Sequence, residues 1–292
     1  MGNSIYDPSF NIATNRKEFG FIFVTLILLT SIAFPMTTYF DEAYLKTTRG
    51  SGITTLEFFH PKSNSLPSKM LQALTVAFHS AALDKDCRVI VLRSGGENTF
   101  CAGAFFDELL AIENGEDGYK FFSGFAYVIN AMRKCPQFII GRIHGKCTGG
   151  GVGLAAACDY AISVEGADIK LSELAVGIGP FVVGPAVERK LGTSAFSQLA
   201  IDATMWRNSD WAKRKGLYAE HHPNTEGMDE SITRLSDKLS RSNPDAIREM
   251  KKTFWKGTDH WDDLLKERAA ISGKLVLSEF TKAAIHQFKK KD

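Results

Sequence analysis

The stretch 144-HGKCTGGGVGLAAACD-159 is the strongest pattern in this sequence. An apolar, strand-like run at 138–140 leads into it, and the alanines at 155–157 are strong helix formers. The glycines therefore lie where a helix begins, so free backbone N–H groups coincide with the positive end of the helix dipole. Because Gly150 has no side chain, its N–H can approach a negatively charged oxygen closely.

Two other interpretations of these glycines stay open. The spacing Gly151-x-Gly153-x-x-Ala156 fits a dinucleotide-binding fingerprint, but that fingerprint follows its strand at once, and here a polar stretch intervenes at 144–149. Tight packing of the helix would also need small residues, yet it explains one or two glycines better than four within five positions. The pattern favours a helix start that binds an anion.

The composition is that of an ordinary globular protein. The 292 residues, 44% of them hydrophobic and 23% charged, can bury a large core in one big domain or two smaller ones. A net charge of +2, from 35 basic and 33 acidic residues, argues against nucleic acid as a partner. The basic run at 289–291 is interpreted as a solvated helix end.

The five cysteines, at 87, 101, 135, 147 and 158, form no C-x-x-C pair and no even-numbered set. Neither a disulfide framework nor a zinc site is indicated, and the scattered histidines add no metal motif, so no metal is predicted. A reducing compartment suits these thiols, which predicts a cytoplasmic protein.

The first 35 residues allow three interpretations because an uncharged apolar run occupies 19–34. The run could anchor the chain in a membrane, or it could belong to a cleaved signal peptide. Alternatively, the working protein starts at Met36 and residues 1–35 are an upstream, non-native extension. A membrane is a partner only if 19–34 is a real segment of the protein.

The residues that follow alternate between strand and helix patterns. Two β-rich runs, 44–48 and 53–59, flank the turn 49–52 and predict a hairpin. A helix with an apolar face from Met70 to Leu83 comes next, and then the apolar strand 89–92. This strand-strand-helix-strand order predicts an α/β fold.

A second segment of small residues, 100–104, could also bring bare N–H groups to a ligand. Ser172 is a candidate helix cap further along. The remaining expected elements are helices at 105–110, 118–133, 186–202 and 209–216 and a strand at 159–164.

From Met228 onward the pattern is helical only, with start signals at Asn243-Pro244 and Ser278-Glu279. We therefore divide the chain into the extension 1–35, a core at 36–227 and a helical region at 228–292. The apolar residues of that region exceed what one thin layer needs, so partner subunits are expected to cover them. These residues are Leu264, Leu265, Ile271, Leu275, Phe280, Ile285 and Phe288.

From about Met36 to its end the sequence resembles the crotonase superfamily, also called the enoyl-CoA hydratase/isomerase family. Four motifs in the family's order carry the resemblance: 100–104, 143–151, 158–160 and 172–180. The resemblance implies a spiral of repeated ββα turns with a helical C-terminal region. It also implies a trimer or hexamer that binds acyl-CoA thioesters, with coenzyme A as part of the substrate and no separate cofactor.

The resemblance also implies site residues. The amides of Ala104 and Gly150 match the two that hold the thioester oxygen, which agrees with the backbone chemistry above. Glu173 matches a catalytic glutamate, and we expect its carboxyl to lie in a partly apolar pocket with a raised pKa. The other interpretation of Glu173 is an idle glutamate in a first helical turn. The site motifs also contain Ala102, Gly103 and Gly149.

Three further residues are looser matches to the family's coenzyme A contacts. Lys62 lies in the loop that meets the coenzyme and could pair with phosphate, although an exposed lysine is the simpler interpretation. Phe288 and Lys291 match tail residues that reach a neighbouring subunit's coenzyme. His144 and Asp159 are interpreted as structural, and the role of Asp107 is left open.

The family's hydratases carry a second glutamate where this chain has Gly153. One carboxylate suffices to take a proton and return it elsewhere, whereas adding water is readily served by two, so a 3-enoyl-CoA to 2-enoyl-CoA isomerase is predicted. Phe181 replaces the aspartate of the dienoyl-CoA isomerases, which argues against that branch. An enoyl-CoA hydratase and a catalytically silent acyl-CoA-binding subunit remain as alternatives.

Overall fold

The structure is a computed structural model that describes residues 36–289. The interpretations of residues 1–35 and the prediction for Lys291 lie outside the described residues. Within 36–289, no helix is both long enough and apolar enough to cross a membrane.

Ten strands form in the described part of the chain, and five of them were expected from β-branched, aromatic and other apolar runs. They are β1 (Met36–Phe40), β2 (Ala43–Gly50), β3 (Ile53–Phe59), β4 (Val89–Ser94), β5 (Thr99–Cys101), β6 (Phe138–Ile143), β7 (Lys146–Thr148), β8 (Tyr160–Val164), β9 (Ile169–Lys170) and β10 (Glu220–His222). The predicted hairpin is confirmed, because β2 and β3 pair antiparallel from Tyr44 with Phe59 to Gly50 with Ile53. Sequence analysis missed β1, which pairs with β2 at the sheet edge.

The helices between and after the strands agree closely with the expected positions. They are α1 (Ser68–Leu83), α2 (Phe106–Leu110), α3 (Gly115–Lys134), α4 (Gly150–Ala157), α5 (Gly184–Ile201), α6 (Ser209–Arg214), α7 (Thr225–Ser240), α8 (Pro244–Phe254), α9 (Trp261–Leu275) and α10 (Glu279–Lys289). A short 3₁₀ helix spans Leu174–Val176. The expected helix after the glycine triplet is confirmed as α4.

Two sheets organise the chain. Seven strands form the larger sheet in the order β1-β2-β3-β4-β6-β8-β10, and β5-β7-β9 form a smaller one. From β3 to β10 the pairing in the larger sheet is parallel, as it is throughout the smaller sheet. Three successive turns of the chain, β4-β5, β6-β7 and β8-β9, each give one strand to each sheet before a helix follows. The α/β fold, with its ββα spiral core, is confirmed.

The core lies between the larger sheet and the helices that follow each strand pair. All six residues of β6 are buried, as expected for a parallel strand covered on both faces. On α3 the buried side chains recur at helical spacing, for example Phe121, Phe125 and Val128. The parallel strands all end at one edge of the sheet, where the chain then runs through 99–104 and 146–150.

The C-terminal helices pack on this core, and their predicted starts are confirmed. Asn243 caps α8 by accepting a hydrogen bond from the Asp245 N–H. Helix α9 crosses α3 with backbone contact, since a Cβ added at Gly118 would lie 2.6 Å from the carbonyl oxygen of Gly273. This contact brings the C-terminal region close to the start of α4.

The expectation that partner subunits cover the tail's apolar residues is partly wrong. Leu265 and Ile285 are buried by the chain itself. Ile271 and Phe280 are exposed, with 67% of the Phe280 surface accessible. The helical layer is thus thick enough to cover part of its own apolar face.

Asp159 ties α8 to the start of β8, as its structural interpretation predicted. Its Oδ2 accepts hydrogen bonds from the Ile139 N–H at 2.8 Å and from Lys251 Nζ at 2.5 Å, and its Oδ1 accepts one from Trp255 Nε1 at 2.8 Å. The side chains of Lys251 and Asp159 are only 3% and 8% exposed. Removing one partner of such a buried pair leaves an uncompensated charge.

We therefore expect Asp159→Asn to lower the free energy of unfolding by about 3–5 kcal/mol, because the buried Lys251 ammonium loses its counter-charge. Urea titration followed by circular dichroism would measure this. Asp245→Asn, which removes the exposed partner of Arg248, is the matched control and should have a much smaller effect. Equal effects of the two substitutions would contradict a structural role for the buried pair.

Candidate active site

A pocket with a cavity volume of about 50 Å³ opens beside the first residue of α4. Its walls come from α2, α3, the start of α4, the segment 172–183 and α9. Ser172, Glu173 and Ser272 supply its polar side chains, and the remaining lining side chains are apolar. The pocket is therefore an apolar chamber with a single carboxylate among its lining residues.

The two segments expected to supply amide donors meet at this pocket. Gly103 has φ +83°, and a Cβ added to it would lie 2.7 Å from the carbonyl oxygen of Thr148 and 2.9 Å from the amide nitrogen of Gly150. Ala104 and Gly150 both line the pocket. The backbone of Gly103 is thus in van der Waals contact with that of Thr148 and Gly150, about 45 residues later in the sequence. A side chain at Gly103 would lie against the Gly150 N–H.

Each amide segment is held by its surroundings. Gly150 is the first residue of α4, so its N–H has no acceptor within the helix and lies at the positive end of the helix dipole. The Ala102 N–H donates to the carbonyl of Ser63 at 3.0 Å, and the Leu66 N–H donates to the carbonyl of Gly103 at 2.7 Å. These bonds fix the 102–104 backbone from the side away from the pocket.

Glu173 faces the start of α4 from the opposite wall. A Cβ added to Gly149 would lie 3.1 Å from its Oε1 and 3.3 Å from its Cδ. Although Glu173 as a residue is partly exposed, its Oε2 is buried and has no hydrogen-bond partner. Burial raises the pKa of this carboxyl from 4.5 to about 7, as sequence analysis predicted.

The local backbone explains how Glu173 reaches the pocket. The 3₁₀ helix begins at Leu174, and the Ile178 N–H donates to the carbonyl of Glu173 at 2.9 Å, which closes a tight loop around it. The expectation that Ser172 caps a helix here is wrong, because the 3₁₀ helix has Glu173 at its N-cap position and no side-chain cap. The buried Oε2 contradicts a solvent-facing position of the Glu173 carboxyl, and its catalytic role stays a prediction.

Gly153 lies directly against Val183, a residue of the pocket wall. A Cβ added there would lie 2.5 Å from Cγ1 and 2.7 Å from Cβ of Val183, and Val183 lines the pocket. Position 153, which the family resemblance matches to the second glutamate of the hydratases, is therefore blocked by an aliphatic side chain.

The residues matched to coenzyme A binding are not all brought to the pocket. Ala102 and Gly149 line it. Lys62 does not; its side chain is 64% exposed, and its Nζ contacts Asp107 Oδ2 at 2.6 Å and lies over the Phe105 ring at 5.3 Å. Phe288 belongs to α10, whose last side chains are not described. The proposed phosphate contact of Lys62 stays a prediction.

Sequence analysis missed several lining residues. Phe125 on α3 lies against Gly150, since a Cβ there would be 2.3 Å from its Cε1. Phe125 lies on the buried face of α3, and helical spacing alone does not tell which residue that face meets. Ser272 on α9 and Val183 also line the pocket, and no local pattern marks either of them. These residues reach the site through tertiary packing alone.

His144 and the cysteines do not join the site. Burial, together with nearby Arg142, lowers the pKa of His144 to about 4, so the ring is neutral at pH 7. This agrees with its structural interpretation. All five cysteines are buried thiols. Among the described residues, no group of three or more His, Cys, Asp or Glu side chains is placed to bind a metal ion.

The sequence model of the family described as enoyl-CoA hydratase/isomerase matches residues 48–291. The chain belongs to this family. The resemblance drawn from four short motifs is confirmed over most of the chain.

Relatives within the enoyl-CoA hydratase/isomerase family carry different activities in their names. The chain is 26% identical over 241 residues to a probable enoyl-CoA hydratase of Bacillus subtilis (strain 168), covering 82% of this chain and 93% of the relative. It is 33% identical over 155 residues to the human mitochondrial methylglutaconyl-CoA hydratase, covering 53% of this chain and 45% of that one.

A mitochondrial Delta(3,5)-Delta(2,4)-dienoyl-CoA isomerase of Pongo abelii is 26% identical over 211 residues, covering 68% of this chain. The chain spans 64% of that isomerase's length. The crystal structure of an enoyl-CoA hydratase from Bacillus halodurans superposes with a TM-score of 0.77 at 19% identity, covering 83% of this chain and 99% of that one. The shared fold is clear, and the relatives include both hydratases and isomerases.

We expect Gly103→Ala to reduce acyl-CoA turnover roughly 10²-fold or more, because the new methyl group would lie 2.9 Å from the Gly150 amide nitrogen, in a backbone conformation that favours glycine. Steady-state kinetics on an enoyl-CoA substrate would measure the loss. Gly50→Ala is the control, since nothing lies within 4 Å of a Cβ added there. Wild-type activity in Gly103→Ala would contradict the convergence of the two backbone segments.

The buried carboxyl also predicts a pH-dependent stability. Between pH 4.5 and about 7 the folded state holds the Glu173 proton more tightly than the unfolded state, so this group destabilises the fold as pH rises through that window. Glu173→Gln should therefore raise the free energy of unfolding above that of wild type at pH 8. This gain should be larger than the effect of the substitution at pH 4.5 by on the order of 2–3 kcal/mol. Urea unfolding at both pH values tests this, with the exposed Glu165→Gln as control. The same effect of Glu173→Gln at both pH values would show that the pKa of this carboxyl is not raised.

Proposed function

We propose that the protein is a 3-enoyl-CoA to 2-enoyl-CoA isomerase that binds the thioester carbonyl with the amides of Ala104 and Gly150 and moves a proton with Glu173. The observation that carries the proposal is the meeting of three groups at one pocket. Ala104, Gly150 and Glu173 all line it, and Gly103 holds the 100–104 segment against the Gly150 amide nitrogen. Coenzyme A enters as part of the substrate.

The two amides serve the charge that develops during the reaction. Removing a proton from C2 of a thioester produces an enolate, whose negative charge lies on the former carbonyl oxygen. Backbone dipoles that are already fixed stabilise this charge without reorganising, and each such donor typically contributes a factor of about 10²–10³ in rate. The N-terminal end of α4 adds its dipole in the same direction.

Glu173 is suited to carry the proton. The carboxylate breaks the C2–H bond of a 3-enoyl-CoA, the electrons form the C2–C3 double bond, the C3–C4 double bond opens, and the carboxylic acid returns the proton to C4. A group that must both accept and donate a proton near neutral pH works best with a pKa close to 7. The burial of Oε2 produces that pKa here.

Isomerisation is favoured over hydration because the pocket has one carboxylate. Hydration needs activation of a water molecule as well as protonation of carbon, and Gly153 cannot contribute to either step. A hydratase is the second candidate, supported by the hydroxyls of Ser172 and Ser272 in the pocket and by the names of two relatives. A catalytically silent acyl-CoA-binding subunit is the candidate of another class, suggested by the absent second acid.

The partners follow from the same proposal. The substrate is an acyl-CoA thioester, whose phosphates Lys62 could meet at the exposed surface near α2. We propose a homotrimer or a hexamer, in which the exposed Ile271 and Phe280 lie between subunits. A cytoplasmic location suits the buried thiols, and a membrane is a partner only if residues 19–34 act as an anchor.

With the full-length chain, Glu173→Gln should lower kcat for isomerisation of 3-hexenoyl-CoA roughly 10²–10⁴-fold, because the amide cannot accept the C2 proton. In the wild type, kcat/KM should fall about tenfold per pH unit below about 7 and stay level above, since the base must be ionised to start the reaction. Stopped or continuous assays between pH 5 and 9 measure both.

Glu165→Gln, at an exposed turn, is the control and should retain the wild-type rate. Assays with crotonyl-CoA run in parallel. A flat profile from pH 5 to 8 would contradict Glu173 as the base. Hydration that depends on Glu173, with no isomerisation, would favour the hydratase, and no turnover of any enoyl-CoA would favour the silent subunit.

A further inference from the structure

We infer that Val183 determines reaction specificity in this pocket, because its side chain fills the volume that an acidic side chain at position 153 would need. This inference rests on the proposed function and deepens it. It assigns the proposed preference for isomerisation over hydration to two residues that fit each other, a glycine on α4 and a valine at the start of α5.

The position of residue 153 on α4 determines where a side chain there would project. Gly153 follows Gly150 by three residues, and residues three apart share one face of a helix. A side chain at 153 would therefore project from the same face of α4 as the amide end that lines the pocket. In that direction it meets Val183 at 2.5 Å from Cγ1, closer than two carbon atoms approach without a shift.

Val183 is also held in place. It is 4% exposed and occupies the N-cap position of α5, where its carbonyl accepts a hydrogen bond from the Val187 N–H at 3.1 Å. The next residue, Gly184, donates to the carbonyl of Pro180 at 2.8 Å. The contact with position 153 involves Cβ as well as Cγ1, and Cβ cannot move by side-chain rotation alone.

The chemical consequence concerns water. Hydration of a 2-enoyl-CoA adds OH to C3 and a proton to C2, so a base must take a proton from water while an acid supplies one to C2. Glu173 can supply the proton at C2, but no second base lines this pocket within the described residues. The Val183 methyl groups keep that side apolar, so a proton taken by Glu173 returns to substrate carbon.

The contact distances tell which substitutions of Val183 should make room for an acidic side chain at position 153 and which should not. Val183→Gly removes the atoms at 2.5 and 2.7 Å and leaves its Cα at 3.6 Å from a Cβ at 153, which is ordinary contact. Val183→Ala leaves the Cβ at 2.7 Å. Glycine is accepted at helix N-cap positions, so Val183→Gly keeps the start of α5.

The experiment compares full-length wild type, Val183→Gly, the pair Gly153→Glu with Val183→Gly, and the pair Gly153→Glu with Val183→Ala. Each is assayed for hydration of crotonyl-CoA and isomerisation of 3-hexenoyl-CoA, with thermal unfolding to report folding. We call the double variant with Val183→Gly the glycine pair and the one with Val183→Ala the alanine pair. We expect the rate of hydration by the glycine pair to exceed that of wild type at least tenfold. The alanine pair should stay within twofold of wild type or fail to fold.

A folded glycine pair that does not gain hydration, while the wild type isomerises, would overturn the inference and leave the proposed function intact. An equal gain in both pairs would also overturn it, because Val183 would then not be the obstacle. A wild type without isomerisation contradicts the proposed function instead, and a gain confined to the glycine pair would still support the role of Val183.

A second measurement covers the case in which neither pair folds. The single variant Val183→Gly opens the pocket without adding bulk at 153, so water should reach the Glu173 proton. During isomerisation in D₂O, deuterium at C4 of the product should rise at least threefold over wild type. An unchanged deuterium content in the folded single variant would overturn the inference.

Discussion

The site depends on the contact between two backbone segments, the 100–104 loop and the first residue of α4. Gly103 approaches so closely that a single added carbon would lie 2.9 Å from the Gly150 amide nitrogen. The parallel strands make this possible, because β4, β6 and β8 all deliver the chain to the same edge of the sheet. Two backbone segments from distant parts of the sequence are thereby in contact without any side chain between them.

The same packing determines the behaviour of Glu173. The carboxyl rests against Gly149, in a pocket whose other walls are mostly apolar, and its Oε2 receives no hydrogen bond. Burial without a partner disfavours the charged form, which raises the pKa to about 7. A carboxyl with this pKa lowers the stability of the fold at neutral pH, and pKa values shifted in this way are common at functional sites.

Sequence predicted much of this because the relevant signals are local. The hairpin 43–59, the helix after the glycine triplet and the start of α8 follow from strand propensity, glycines and a capping asparagine within a few residues. The edge strand β1 and the ties from Asp159 to Lys251 have no local signal. Leu265 and Ile285 were assigned to a subunit interface because hydrophobicity does not tell which surface covers a side chain.

The structure gives information about Gly153 that the sequence does not contain. In the sequence, Gly153 indicates only that the second glutamate is absent. That absence is compatible with a hydratase in which another group activates water. In the structure the same glycine is in tight contact with Val183, thirty positions later, and Val183 lines the pocket that holds Glu173. An acid cannot be placed at 153 without a change at 183, so the lone carboxylate belongs to the packing of the pocket as a whole.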